Sequence, residues 1–189
     1  LFVRFAAEAE TATMYTADAL ANELRRSMGR SVFHSIAIAG RDPLANVEYL
    51  QAAFSKVDSK LPVMLDTDGQ RPAELGELKS IVTVAQVSLD GMTSEAQDER
   101  AFESIRVAKD AGMLHALVLS ADERVTDAHM LRVVERAHAA SEATMVVIHP
   151  GPTTPVDRDR RWTTLFERAS ALHGDVRLAL KLPPPTGMR

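Results

Sequence analysis

Apolar and polar residues follow two alternating rhythms along this chain. Short segments that are apolar on successive positions recur at residues 1–5, 32–39, 62–66, 83–89, 114–120, 144–149 and 176–182. Segments of that length and character predict strands covered on both faces. Between them, apolar residues return every three or four positions, as Leu44, Val47, Leu50 and Phe54 do, and this spacing predicts helices with one buried stripe. Thr16 is the expected N-cap of a helix over 17–28, with Gly29 just past its end. Further helices are predicted over 44–57, over 95–111 before Gly112, from Thr126 to about Ala140, and over 160–172 before Gly174.

Strand and helix alternating in this way read as βα units around a parallel sheet, so the expected fold class is α/β in a single domain spanning 1–189. Parallel strands need long, right-handed crossovers. An open doubly wound sheet and a barrel both satisfy that rule, and periodicity does not choose between them. In either one, ligands are expected at the C-terminal ends of the strands. The loops that follow the strands are therefore where chemistry is sought.

Composition narrows the function classes. The chain has 189 residues and a formal net charge of -4, with acidic and basic residues mixed along it. No basic stripe with interleaved aromatics marks a nucleic-acid surface, and nucleic acid is not an expected partner. The basic run from Arg158 to Arg161 is broken by Asp159; a solvated loop or helix start explains it, with phosphate binding as the competing reading. No segment approaches a membrane span in length and hydropathy, so no membrane partner is expected. The start LFVRFAAEAE turns acidic at once and does not read as a signal peptide. A cytoplasmic protein is the expectation, and a homodimer stays open. There is no cysteine, which removes disulfides, thiolate catalysis and cysteine-ligated metals within these residues.

Three post-strand loops carry short polar groups and a glycine: Gly40-Arg41-Asp42-Pro43, Asp66-Thr67-Asp68-Gly69 and Ser88-Leu89-Asp90-Gly91. Singly, each reads as an ordinary turn. In order and spacing they resemble the radical S-adenosylmethionine enzymes, which carry GGEP after the second strand, an ETNG-like motif after the third and often SLDG after the fourth. This chain has GRDP, DTDG and SLDG, over roughly half its length. LFVRFA is similar to the first strand of the 7-carboxy-7-deazaguanine synthases and of some glycyl-radical activating enzymes, where a glycine and then CxxxCxxC follow. Here Phe5-Ala6 runs directly into Ala7-Glu8. VRLALKLPPPTGMR is similar to the last strand of the deazaguanine synthases, with Lys181 and Pro183 where that family has a Gln-x-His pair, and Gly187 after them.

The resemblance implies a partial (βα)6-type TIM barrel. It implies S-adenosylmethionine as cofactor, with Gly40 and Asp42 receiving the methionine amino group and Asp66, Thr67, Ser88 and Asp90 lining its ribose and carboxylate side. Asp42, Asp66, Asp68 and Asp90 would then form an acidic site suited to a sulfonium cation. His149 ends a strand toward that site and, with Lys181 and Gly187, is a substrate-binding candidate; a capping role competes for it. His115, Trp162 and Met145 read as core. A 4Fe-4S cluster and Mg²⁺ would require a cysteine loop between Ala6 and Ala7. The six histidines do not fall at metal-ligand spacings on one loop, so no metal ligand and no catalytic residue is assigned.

Two functions follow. One is a radical S-adenosylmethionine lyase of the deazaguanine-synthase type, converting 6-carboxy-tetrahydropterin to the queuosine precursor, whose cluster loop is absent from this chain. It is expected to be inactive as written. The other is a non-catalytic descendant of the same fold that binds a small molecule or a protein partner. An unrelated response-regulator-like α/β domain fits the alternation too, and leaves the ordered motifs unexplained.

Overall fold

Seven strands form one parallel sheet in the same order in which they occur along the chain. The computed structural model describes residues 1–6, 13–121, 124–151 and 160–179. The strands are β1 (Phe2–Phe5), β2 (Ile36–Gly40), β3 (Val63–Thr67), β4 (Val84–Asp90), β5 (Leu114–Ala121), β6 (Met145–Pro150) and β7 (Val176–Leu178). The helices are α1 (Ala17–Arg30), α2 (Val47–Phe54), α3 (Pro72–Glu77), α4 (Glu95–Asp110), α5 (Asp127–Ala140) and α6 (Arg161–Leu172), with a 3-10 turn over Pro43–Asn46.

Sequential order excludes the doubly wound alternative, in which the strand order reverses part-way across the sheet. With right-handed crossovers it also puts every helix on one face of the sheet. Burial along the strands agrees. In β4, Ala85, Val87 and Leu89 are buried while Val84, Gln86 and Ser88 are only half-buried and Asp90 is exposed. In β5, Leu117 and Leu119 are buried while Ala116 and Val118 are half-buried and Leu114 is exposed. The expectation of strands covered on both faces is thus corrected. One face lies under helices, and the other, called the open face below, is partly in contact with solvent.

The starts of α1, α4 and α5 rest on caps, which are local chemistry. Thr16 accepts from the Ala19 amide at 3.2 Å, and Thr126 accepts from the His129 amide at 3.2 Å. Ser94 and Gln97 form a reciprocal capping box at the start of α4. Gly112 ends α4 at φ +73°. Its amide bonds the Lys109 carbonyl, and the Met113 amide bonds that of Ala108, which is the Schellman pattern.

Several elements differ from expectation, among them α2, which spans Val47–Phe54 behind a 3-10 turn where a helix over 44–57 was expected. Helix α1 continues through Gly29, which keeps a negative φ, to Arg30. Strand β2 begins at Ile36 and not at Val32, because its pairing with β1 starts only at Phe2–Ala37; Val32 is fully exposed. Helix α3 was not foreseen, since its six residues are too few to show a period and Pro72 fills its first turn.

The core falls into two clusters that meet at β4 and α4. One gathers Ile36, Ile38, Leu50, Leu65, Leu75 and Ala85 under α1 to α3. The other gathers Val87, Leu89, Phe102, Leu117, Val146 and Trp162 under α4 to α6. His115 is buried as expected: its Nδ1 lies 2.9 Å from the Met113 carbonyl and its Nε2 2.8 Å from the Ser141 hydroxyl. Trp162 is also buried, whereas Met145 stands half-buried on the open face.

Candidate functional site

The C-terminal halves of β3 to β6 carry polar side chains on the open face. Asp66 and Gln86 are register partners on β3 and β4. Ser88 lies two residues beyond Gln86 and so on the same face. The Ser88 hydroxyl donates to Asp66 Oδ1 at 2.6 Å, and Gln86 Nε2 donates to the same oxygen at 3.1 Å. The carboxylate is therefore held in place by two donors on the neighbouring strand. Two residues further on, Asp90 pairs in register with Ser120 of β5, and Ser120 with His149 of β6. These three stand in one row across the mouth of the sheet, at the ~4.8 Å strand spacing. Asp90 Oδ1 accepts from the Met92 amide, which fixes the loop behind it. On β1, Arg4 faces the same open side, in register with Ala39.

The remaining expected residues do not join this row. Thr67 points to the helix face and is 6 % exposed. Its Oγ1 accepts from the Gly69 amide at 3.2 Å, so it shapes the loop. Asp68 is exposed and accepts from the Gln70 amide. Asp42 sits at φ +41°, a left-handed conformation uncommon for a non-glycine residue. Both of its oxygens receive the Nε of Arg71, at 2.9 and 3.0 Å, while Arg71 Nη1 reaches Glu74 at 3.1 Å. Hydrogen bonding to Asp42, then to Glu74, raises the Arg71 pKa further above its ordinary value. The expected acidic site is thus modified: the charge of Asp42 is matched by Arg71, and the carboxylates of the open face are Asp66 and Asp90.

Gly40 ends β2 at φ +106°, and a β-carbon there would lie 2.1 Å from the Phe5 carbonyl oxygen. Its glycine identity is explained by that close approach of β1, whatever else the loop does. His149 is half-buried on the open face and not at a helix cap. Lys181 and Gly187 lie outside the described residues, as does the chain beyond Ala6 up to residue 12. Of the basic run, Arg161 is structural: it pairs with Asp127 at 2.9 Å, bonds the Val125 carbonyl and lies over the Trp162 ring at 4.8 Å.

Gln86 and Ser120 were missed by sequence reasoning, although a signal was present. Gln86, Ser88 and Asp90 occupy alternate positions of an otherwise apolar strand, and such a period of two marks one polar face. Arg71 carried no comparable signal, because its partner is 29 residues away. A cavity of about 600 Å³ lies elsewhere, between β1 and α1, lined by Leu1, Val3, Phe5, Leu20, Leu24 and Tyr49. Its walls are mostly apolar, with Arg4, Glu23, Ser27 and Asn46 among the polar residues that line it.

The donor set tests the groups that the motif resemblance implies. A cluster of the radical S-adenosylmethionine type needs three thiolates in a short loop, and this chain has no cysteine. Among the described residues, no three His, Asp or Glu side chains gather where they could hold a metal ion. The cluster does not fit these residues. On the open face, Asp66, Ser88, Gln86, Asp90 and Ser120 offer two carboxylates and neutral hydrogen-bonding groups. No described helix is long and apolar enough to cross a membrane. No protein-family model matches the chain, and no curated protein matches it.

Proposed function

We propose that this chain is a radical-S-adenosylmethionine-like partial (βα) barrel that binds a small cationic ligand on its open face, without cluster chemistry. S-adenosylmethionine or a close analogue is the proposed ligand. The observation that carries the reading is the Asp66 carboxylate, pre-oriented by Ser88 and Gln86 just below the Asp90–Ser120–His149 row. Sequential strand order supports the barrel part, because a sheet with all its helices on one side leaves the other side to curve around a ligand. A carboxylate already held by neutral donors loses little freedom on binding, and two carboxylates favour a sulfonium.

Calorimetry with S-adenosylmethionine and S-adenosylhomocysteine tests this reading. Binding of either is expected, stronger for the sulfonium. Asp90→Ala is expected to weaken it by about 1–3 kcal/mol, the usual cost of losing a hydrogen bond to a charged group. Asp90 is exposed, so the fold is expected to persist. An absence of heat at millimolar ligand would remove the cofactor reading.

The lyase of the deazaguanine-synthase type is a second reading, and one placement favours it. Phe5 pairs with Gly40, so the Ala6–Ala7 junction follows the C-terminal end of β1, where the family's cysteine loop would begin. The chain as written, reconstituted with iron and sulfide, is expected to stay colourless and to release no 5′-deoxyadenosine from S-adenosylmethionine. A stoichiometric cluster formed on these 189 residues would contradict that expectation. A chain with a cysteine loop inserted after Ala6 that gains both signals would favour the lyase.

A further inference from the structure

Strand β1 ends the sheet on one side, and among the described residues no strand bonds to its outer edge. The ladder to β2 fixes which peptide groups face outward. Leu1 and Phe5 turn their carbonyls to β2, where the Ala37 and Arg41 amides donate to them at 2.8 and 2.9 Å. Peptide groups alternate along a strand, so those of Val3 also face β2, and those of Phe2 and Arg4 face away from it. Side chains alternate as well. Leu1, Val3 and Phe5 pack against the first core cluster on the helix face, while Phe2 and Arg4 lie on the open face.

The cavity of about 600 Å³ between β1 and α1 runs along this edge. One wall is β1 from Leu1 to Phe5, and the other is α1 from Leu20 to Ser27. Phe2, Met14 and Tyr15 also line it, and they are 68 %, 93 % and 45 % exposed. They are three of the seven large apolar side chains left exposed among the described residues. Apolar groups gathered at one groove mark a contact surface. A small apolar molecule would fill the space and leave the outward peptide groups of the edge to water. An added strand fills the groove and bonds the edge together.

The sequence of β1 matches a second copy of itself. In an antiparallel pair, residues with outward peptide groups face one another, so the pair is centred on Phe2, Val3 or Arg4. Centred on Arg4, it sets two guanidinium groups directly opposite, which is unfavourable. Centred on Phe2, it leaves Arg4 beyond the end of the other strand. Centred on Val3, it sets each Phe2 ring against the Arg4 guanidinium of the other copy, a cation–π pair made twice. A guanidinium can bond in its plane and stack on its face at once, as Arg161 does with Asp127 and Trp162. On the helix face the same register sets Val3 against Val3 and Leu1 against Phe5, and these side chains enter the groove lined by Leu20 and Leu24.

We propose that the outer edge of β1 and the groove beside α1 form a dimer interface, in which two copies of β1 pair antiparallel about Val3 into one continuous sheet. An interface of one short strand and one groove belongs to the small, transient class, so dissociation in the micromolar to millimolar range is expected. None of its residues belongs to the Asp90–Ser120–His149 row, so dimerisation and ligand binding are tested separately.

Sedimentation equilibrium of the full chain from micromolar to millimolar concentration tests the proposal, with amide exchange at the two extremes. A reversible monomer–dimer equilibrium is expected. The Phe2 and Arg4 amides should gain protection at high concentration, and those of Val3 and Phe5 should be protected at both. Phe2→Pro should weaken dimerisation at least about tenfold, because it removes half of the hydrogen bonds between the copies. A proline facing outward on an edge strand leaves the bonds to β2 intact. Leu114→Ala, exposed at the start of β5, should change nothing. Should Phe2→Pro alter the circular dichroism spectrum, Phe2→Lys keeps the peptide group and sets like charges opposite each other. A monomer at every concentration, a dimer unmoved by a folded Phe2 variant, or a dimer whose Phe2 and Arg4 amides gain no protection would each overturn the interface.

Discussion

Replacing Phe102 by alanine is expected to destabilise the protein by about 3–5 kcal/mol, the range for removing a buried aromatic ring. Phe102 is 1 % exposed and sits where α4 presses on the second core cluster, among Val87, Leu117 and Val134. Its ring also carries the Arg136 guanidinium, whose carbon lies 4.6 Å from the centroid. Arg136 in turn pairs with Glu99, which pairs with Arg106 at 3.0 Å. The hydrogen bond from Arg106, more than the charge of either arginine, holds the Glu99 carboxyl below its ordinary pKa. Removing the ring thus opens a cavity and takes away the surface on which an arginine rests. A urea titration should show a lower midpoint at an unchanged slope. Phe102→Leu should recover more than half of the loss, and Arg136→Ala alone should cost far less than the ring. A Phe102→Ala protein as stable as the parent would mean that α4 does not bury this face.

Gly40→Ala is expected to be the most disruptive change at the mouth of the sheet. The residue combines a φ of +106° with backbone on the only side open to a side chain: a β-carbon would meet the Phe5 oxygen at 2.1 Å and the Phe5 nitrogen at 2.7 Å. Nothing flexible is present to give way. The Arg41 amide also donates to that same Phe5 carbonyl at 2.9 Å, so relief requires β1 and β2 to part. A cost of about 2–4 kcal/mol follows from backbone strain together with lost pairing. Amide exchange should show the loss first in Phe5 and Arg41. Gly29→Ala is the matched control with the opposite sign. Gly29 is helical, and a β-carbon added there would meet nothing within 4 Å, so alanine should stabilise by about 0.4–1 kcal/mol. Equal effects at the two glycines would refute the steric argument.

The fold was legible where its causes are local. Thr16 and Thr126 announce helix starts because capping needs only the next three residues, and Gly112 announces an end because its positive φ is a property of one residue. Strand order was not legible, since pairing is decided by contacts between distant segments. The candidate site divides along the same line. Asp66, Ser88 and Asp90 could be named from loop motifs, and the period of two in β4 would have added Gln86. Thr67 shows the opposite failure. It stands next to Asp66 in the chain, yet a single residue step in a strand turns its side chain to the other face. Arg71, which occupies Asp42, lies across a turn that no spacing rule connects to it.

The two core clusters give the molecule a particular way of failing. Contacts run from each βα unit to the next, and the two halves share only β4 and α4: Ala85 and Ala108 belong to the first cluster, Val87, Leu89 and Ile105 to the second. Damage near β1 can therefore reach β7 only through that shared pair. Local opening is expected to follow these two clusters, and hydrogen exchange would test whether each half opens as its own unit. The ligand proposed for the open face would touch both halves, since Asp66 belongs to one side of the seam and Ser120 and His149 to the other. Binding there would bolt the halves together, so that its effect on stability would exceed its footprint.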